Sequence, residues 1–280
     1  MKNLSKKIML AIGLLMAGFM TVQSQNFEGT AIYQSSRSGS PLTFKAEGIT
    51  PEMQKQLASQ ISKQFQKEYE LNFNLTEAHW KEVESLDGQE IKASAGGMEI
   101  SINTNTGATY INTSENLYLK ESDVMGKPFL IKDELEMRDW ELTSETKKIG
   151  EYTAQKAIYQ RISESKSFSF GADVEENAST KMDTTIIEAW YTPEIPVSQG
   201  PNGYWGLPGL ILELSDGNMS YLCTKVTLNP KDKVKIKKPS KGKVVTQEEL
   251  TEIRDEQMEE MMKRSKNSGR SFIFKSGGGQ

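Results

Sequence analysis

Five carboxylates crowd one stretch of this 280-residue sequence: Asp183, Glu188, Glu194, Glu213 and Asp216. Two of them at the right separation could work as an acid/base pair, as in glycoside hydrolysis, one protonating the leaving oxygen while the other activates water or attacks. Charged residues make up 26% of the chain, however, so nearness in sequence singles out no pair. Asp216 is explained by a turn and Glu213 by a solvent-facing strand position. Four aromatic residues lie among them: Trp190, Tyr191, Tyr204 and Trp205. Such rings can line a groove for a sugar, a peptide or another apolar ligand, or they can pack a corner over strand ends. Met258, Met261 and Met262 offer soft thioethers to Cu(I), but with no histidine nearby an adaptable apolar helix face explains them. His79 and Cys223 are each the only residue of their type. A His/His or Cys/His metal site is thereby excluded within one chain, and a Cys-His pair requires those two to meet. There is no GxSxG, phosphate-binding loop, zinc spacing or dinucleotide fingerprint. The expectation is no catalytic residue, no metal ligand and no cofactor.

The ends and the composition place these residues in context. Lys2, Lys6 and Lys7 precede an apolar run from Ile8 to Met20, and Val22 and Ser24 occupy the −3 and −1 positions of a cleavage point. Residues 1–24 read as a signal peptide. The run is short for a membrane span, which needs about 20 apolar residues. The mature chain, about 255 residues long, is expected to be exported, not membrane-spanning after signal removal, and large enough for one β-rich domain. The destination is periplasmic, outer-membrane-associated or secreted. A net charge of −4 and a pI near 5.4 give no sign of nucleic-acid binding. Mean hydropathy is −0.56 with 36% hydrophobic residues, which suggests long polar stretches around a modest core. One cysteine leaves no internal disulfide, so packing alone must stabilise the fold.

Hydrophobic periodicity predicts a mainly β (α+β) fold: a curved or partly closed antiparallel sheet or barrel with one inserted helix and one C-terminal helix. Residues 25–230 form the β domain. Its helix, near 51–68, has Thr50 as N-cap and Pro51 at its first position, and Met53, Leu57, Ile61, Phe65 and Tyr69 form its apolar stripe. Leu71, Phe73 and Leu75 share one strand face. Residues 98–103 and 108–112 flank a hairpin-type loop, and 168–181 reads as an irregular loop. About ten strands are expected in all. Residues 231–245 read as a lysine-rich linker, which could touch an anionic membrane surface or stay solvated. Thr246 and Glu249 form a capping box that opens a helix over 246–264. Residues 265–280 are expected to be disordered.

The stretch Gly200-Pro-Asn-Gly-Tyr-Trp-Gly-Leu-Pro-Gly-Leu-Ile-Leu-Glu-Leu-Ser-Asp-Gly217 is dense in backbone-special residues. Residues 200–203 read as an exposed turn. Leu207 to Leu210 fits a type II turn with positive φ at Gly209. Asp216-Gly217 predicts a two-residue hairpin that pairs Ser215 with Asn218 and Leu214 with Met219, and leaves Cys223 as a buried, inert thiol. The strand end Ala189-Trp-Tyr-Thr-Pro-Glu-Ile-Pro196, with Gly200-Pro201 and the hexapeptide Gly206, Leu207, Pro208, Gly209, Leu210, Ile211, resembles the signature of the GLPGLI family. These are exported proteins of Bacteroidetes. Thr146 to Ala157 resembles the family's lead-in, although Thr153 and Ala154 stand where the family often has a cysteine, so no redox or metal role carries over. A similar module at the N-terminal region of a bacterial peptide:N-glycosidase implies an accessory or binding domain. The resemblance treats Gly206 to Ile211, with Asp216 and Gly217, as structural. The functional expectation is a non-enzymatic envelope or periplasmic binding or carrier module for an apolar, peptide or glycan ligand. The alternatives are a carboxylate-dependent hydrolase and a subunit docking on an envelope protein partner.

Overall fold

The computed structural model describes residues 27–37, 50–84, 90–95, 98–103, 107–171, 174–266 and 272–276. Residues 1–24, read above as a signal peptide, lie outside them. The first half runs β1 (Glu28–Arg37), α1 (Pro51–Gln64), β2 (Glu68–Asn74), β3 (Glu77–Glu82), β4 (Glu90–Ala95), β5 (Met98–Asn103), β6 (Thr109–Asn112), β7 (Leu117–Val124) and β8 (Lys127–Asp133). The second runs β9 (Glu141–Ile149), β10 (Tyr152–Gly171), β11 (Val174–Thr192), a 3₁₀ turn (Pro201–Gly203), β12 (Leu210–Ser215), β13 (Met219–Leu228), β14 (Lys243–Val245), α2 (Gln247–Lys266) and β15 (Phe272–Ser276).

Thirteen strands make one open sheet in the order β14-β8-β7-β6-β3-β2-β1-β13-β12-β11-β10-β15, with β9 also paired to β10; β4 and β5 form a separate hairpin. Among the described pairs only β14–β8 is parallel. Inward side chains from β1, β2, β3, β6 and β10 to β13 meet in a single cluster. At about 4.8 Å per strand a flat sheet could not bring them together, so the sheet is strongly curved and its concave face holds the core.

Aromatic rings fill that face. Tyr69 stacks on Trp80 at 4.8 Å, and Tyr33 and Tyr221 meet Trp80 edge-on at 5.3 and 5.5 Å. The strand period delivers them, since Tyr69, Leu71 and Phe73 alternate inward along β2. Segment 193–209 then enters the concavity as a plug. Ile195, Val197, Gln199, Tyr204 and Leu207 are all buried along it. Its Ile195 and Gln199 carbonyls accept the amides of Leu210 and Ile211 at 3.0 Å each.

Several expectations need correction. Residues 200–203 are not an exposed turn: Pro201 and Gly203 are buried inside the plug. Gly209 has no positive φ; its amide donates to the Leu207 carbonyl at 2.9 Å, a tighter turn centred on Pro208. What demands glycine there is space, because a Cβ would lie 2.2 Å from the Thr192 carbonyl oxygen. The β12–β13 register is shifted by two residues, Ser215 facing Ser220 and Leu214 facing Tyr221. The cause is the Asp216 carboxylate, which accepts the amides of Asn218 and Met219 at 3.0 and 2.8 Å and holds a wider loop. A shift of two preserves every side chain's face. Residues 98–103 pair with β4, while β6 lies between β3 and β7. Residues 168–171 and 174–181, read as a loop, continue the β10–β11 ladder. Leu75 is exposed because β2 ends at Asn74, whose side chain accepts the amides of Thr76 and Glu77. Residues 272–276 pair with β10, within the stretch expected to be disordered. Helix α1 stops at Gln64, and Tyr69 belongs to β2.

Local helix signals come out as read. The Thr50 hydroxyl accepts the Met53 amide at 3.3 Å. Thr246 and Glu249 exchange hydrogen bonds of 2.8 and 3.1 Å. Leu57 and Ile61 are the buried residues of α1.

Two glycine substitutions separate space from conformation. Gly209→Ala should cost about 3 kcal/mol or more, because β11 backbone blocks the methyl. Gly150→Ala, at φ +58° with nothing within 4 Å of a Cβ, should cost only about 1 kcal/mol. Urea unfolding midpoints measure both, and equal losses would contradict the assignment.

Candidate functional site

One cleft of about 430 Å³ opens where five parts of the chain meet: Tyr118 of β7, residues 133–138 at and beyond the end of β8, β10, the plug at 202–205, and the first turns of α2. Along β10 the strand period sends Ala157, Tyr159, Arg161 and Ser163 to one face. Ala157 is buried in the core, while the next three line the cleft. Helix α2 is anchored at its edge, where the Asp133 carboxylate accepts the Gln247 amide at 2.9 Å. A carboxylate there also faces the positive end of the helix dipole.

Tyr204 organises the cleft from within the plug. The Arg138 guanidinium lies 4.7 Å from its ring centroid, and Arg138 Nη1 donates to the Gly203 carbonyl at 3.3 Å. Arg161 Nη1 donates to the Tyr204 hydroxyl at 3.3 Å. Trp140 packs obliquely against Tyr159 and Tyr204 at 5.8 and 6.4 Å and donates its indole N–H to the Trp205 carbonyl at 3.0 Å. Burial pushes the Tyr204 phenol up to about 12, helped by Asp216 and opposed by the two arginines. Burial also raises Tyr118 on the opposite wall. Both phenols therefore stay protonated at neutral pH and offer neutral hydroxyls.

The four aromatic candidates divide. Tyr204 and Trp205 reach the cleft. Tyr191 is buried in the core, its hydroxyl donating to Gln155 Oε1 at 2.9 Å. Trp190 faces the convex side, with Lys147 Nζ 4.2 Å from its ring centroid. None of the five carboxylates singled out in the sequence lines the cleft, whose acidic residues are Asp133, Glu134 and Glu136. Glu213 pairs with Lys147 at 2.6 Å and Glu188 with Lys156 at 3.4 Å. Glu194 accepts the Thr153 amide at 2.8 Å, and Asp183 sits opposite Ser163 in the β10–β11 ladder.

The remaining candidates are also placed. Cys223 is half-buried, and burial raises its thiol to about 12, which keeps it protonated and unreactive. His79 is a buried β3 residue whose pKa is lowered by burial and by Lys81. The side chains of Met261 and Met262 lie outside the described residues. The lysine-rich segment packs back on the sheet: Ile236 joins Tyr110, Leu119 and Leu130, and Lys238 pairs with Glu115 at 2.8 Å. Sequence reasoning missed Arg138 and Arg161. Arg161 left a usable signal, a cation at an inward strand position after Ala157 and Tyr159. Arg138 lies in an irregular segment and left none.

A family model described as a protein of unknown function (Porph_ging) matches residues 140–213, the span from Trp140 to Glu213 that contains β10, β11, the plug and the start of β12. No curated protein matches. Two solved structures of PNGF-II, in C2 and P21 crystal forms, are similar at 16% identity with TM-scores of 0.43 and 0.42. They cover 81% of this chain, which spans about a third of theirs, 32% and 33%.

Proposed function

We propose that this chain is a non-enzymatic binding or carrier module, and that the cleft beside Tyr204 and Trp205 holds an apolar or peptide-like ligand. One observation carries the reading: about 430 Å³ of space walled by Tyr159, Tyr204 and Trp205 adjoins an otherwise filled aromatic core. That volume falls within the roughly 300–1,000 Å³ of small-molecule sites, which combine apolar walls with a few placed polar groups. Of the carboxylates on which the hydrolase alternative rested, Glu213, Glu188 and Glu194 are engaged outside the cleft, with Lys147, Lys156 and the Thr153 amide. No helix among the described residues is long and apolar enough to cross a membrane. With the charged and apolar leader, this suits an exported envelope protein of the GLPGLI kind.

Protein purified natively from the envelope should carry a small molecule detectable by mass spectrometry. Trp205→Ala should lose it with the fold retained at a modestly lower melting temperature, since Trp205 sits half-buried at the cleft wall and packs on the core. Ligand-free native protein, or ligand retained in full by Trp205→Ala, would overturn the reading. N-terminal sequencing of the exported protein should begin at Gln25, and a mature chain that retains Met1 contradicts export by a cleaved leader.

A further inference from the structure

We infer that the ligand of this cleft is an extended peptide, bound as an added strand on the open edge of β10. The inference rests on the binding reading above and names the ligand of that site and its mode of attachment. A strand has two hydrogen-bonding edges. On one, β11 pairs with β10 without a break from Gln155 to Ser169. The other edge is shared by two strands that do not meet. β9 pairs within Tyr152 to Ile158, and β15 pairs with Lys166 to Phe170. Between them, residues 159–165 have no strand partner on that edge among the described residues.

The gap lies at the cleft, which Tyr159, Arg161, Ile162 and Ser163 all line. The chain before β9 leaves the ladder at Glu141. Trp140 then packs its ring against Tyr159 and donates its indole N–H to the Trp205 carbonyl. Another wall of the cleft is α2, through Gln247 and Thr251. That helix is fixed to β7 and β8, near the far end of the sheet. Leu250 is buried with Val124, Phe129 and Ile131, and Arg254 Nη2 donates to Ser122 Oγ at 2.9 Å. The cleft is therefore a slot with a strand edge on one side and an anchored helix on another.

Every second residue of a strand turns both its N–H and its C=O to the same edge. Over 159–165 this presents about three donor–acceptor pairs, which the main chain of another peptide complements. β9 and β15 both run antiparallel to β10. A strand inserted between them continues their line for about 23 Å, at roughly 3.3 Å per residue. Its residues opposite Tyr159, Arg161 and Ser163 send their side chains to the concave side, toward Tyr204 and Trp205, where aromatic rings suit the walls. The cleft sets Asp133, Glu134 and Glu136 against Arg138 and Arg161, so a neutral or basic peptide is favoured over an acidic one. The edge of a second folded copy does not suit the slot. β9 and β15 close the gap at both ends, and a whole sheet would have to enter between β10 and α2.

Hydrogen exchange of the free protein is the first test. Amides over 159–165 should alternate, those on the open edge exchanging about tenfold or more faster than those bonded to β11. Uniform protection would mean that the edge is already covered, and the inference would be wrong. Acetyl-Lys-Tyr-Thr-Phe-Thr-Tyr-Lys-amide is then titrated into the millimolar range. It should shift the Trp205 indole NMR signal and slow the fast amides of 159–165 about tenfold. Methylating the peptide's backbone nitrogens in two alternate sets should separate them. One set should weaken binding about tenfold or more, the other about threefold at most. Equal losses, or none, would mean that side chains alone hold the peptide, against the added strand. A shifted Trp205 signal without slowed amides would keep the cleft as a binding site and overturn the added strand. If neither responds, the added strand is likewise overturned, while native mass spectrometry of the bound molecule decides the cleft independently. Binding that appears only after removal of residues 277–280 would make the chain's own end the occupant, which also contradicts the inference.

Discussion

The curved sheet must bury a concave apolar face, and segment 193–209 does this from inside. A peptide that enters a core brings backbone amides and carbonyls that need partners there. Prolines at 193, 196, 201 and 208 remove four of those donors. The amides of Val197, Tyr204 and Gly209 bond within the segment itself, and the carbonyls of Ile195 and Gln199 take amides of β12. The segment can thus sit among aromatic side chains without a ladder of its own. Its fit is close: Gly200 and Gly209 press against Ile211 and the Thr192 backbone at distances that no side chain tolerates.

The cleft follows from the same insertion. Where the plug turns at Asn202 to Trp205 it stops short of β10 and α2, and the remaining space is the site. Tyr204 belongs to both, with its side chain buried in the core cluster and its hydroxyl and ring face turned to the arginines. A displacement of the plug would move Tyr204 and with it the positions of Arg138 and Arg161. Core packing and site geometry are therefore coupled through one residue.

Helix caps were legible in the sequence because their chemistry is local: Thr50 and Thr246 each act within three residues. The face pattern of β12 and β13 was legible too, and it outlasted a wrong register, because period two is unchanged by a shift of two. What failed depended on distant partners. The burial of Pro201 and Gly203 is set by strands far away in sequence, among them β6, whose Thr109 lies beside Gly203. The pairing of β6 with β3 rather than β5 likewise closes a loop that no local signal marks. The aromatic candidates were sorted by the parity of β11: Trp190 and Tyr191 are adjacent, so one must face out when the other faces in.

The same logic separates the signature from the site. Leu207, Leu210 and Ile211 are at most 1% exposed and hold the plug against the sheet. Gly209 meets β11 backbone. None of these four residues lines the cleft, while Arg138, Tyr159 and Arg161 do and lie outside the hexapeptide. Packing to native density constrains the first group tightly, since a single added methyl at Gly209 collides with backbone. The second group projects from a strand whose ladder does not depend on side-chain identity, and from an irregular segment. The packing that fixes the hexapeptide, and with it the plugged sheet, therefore leaves the residues lining the cleft free to change.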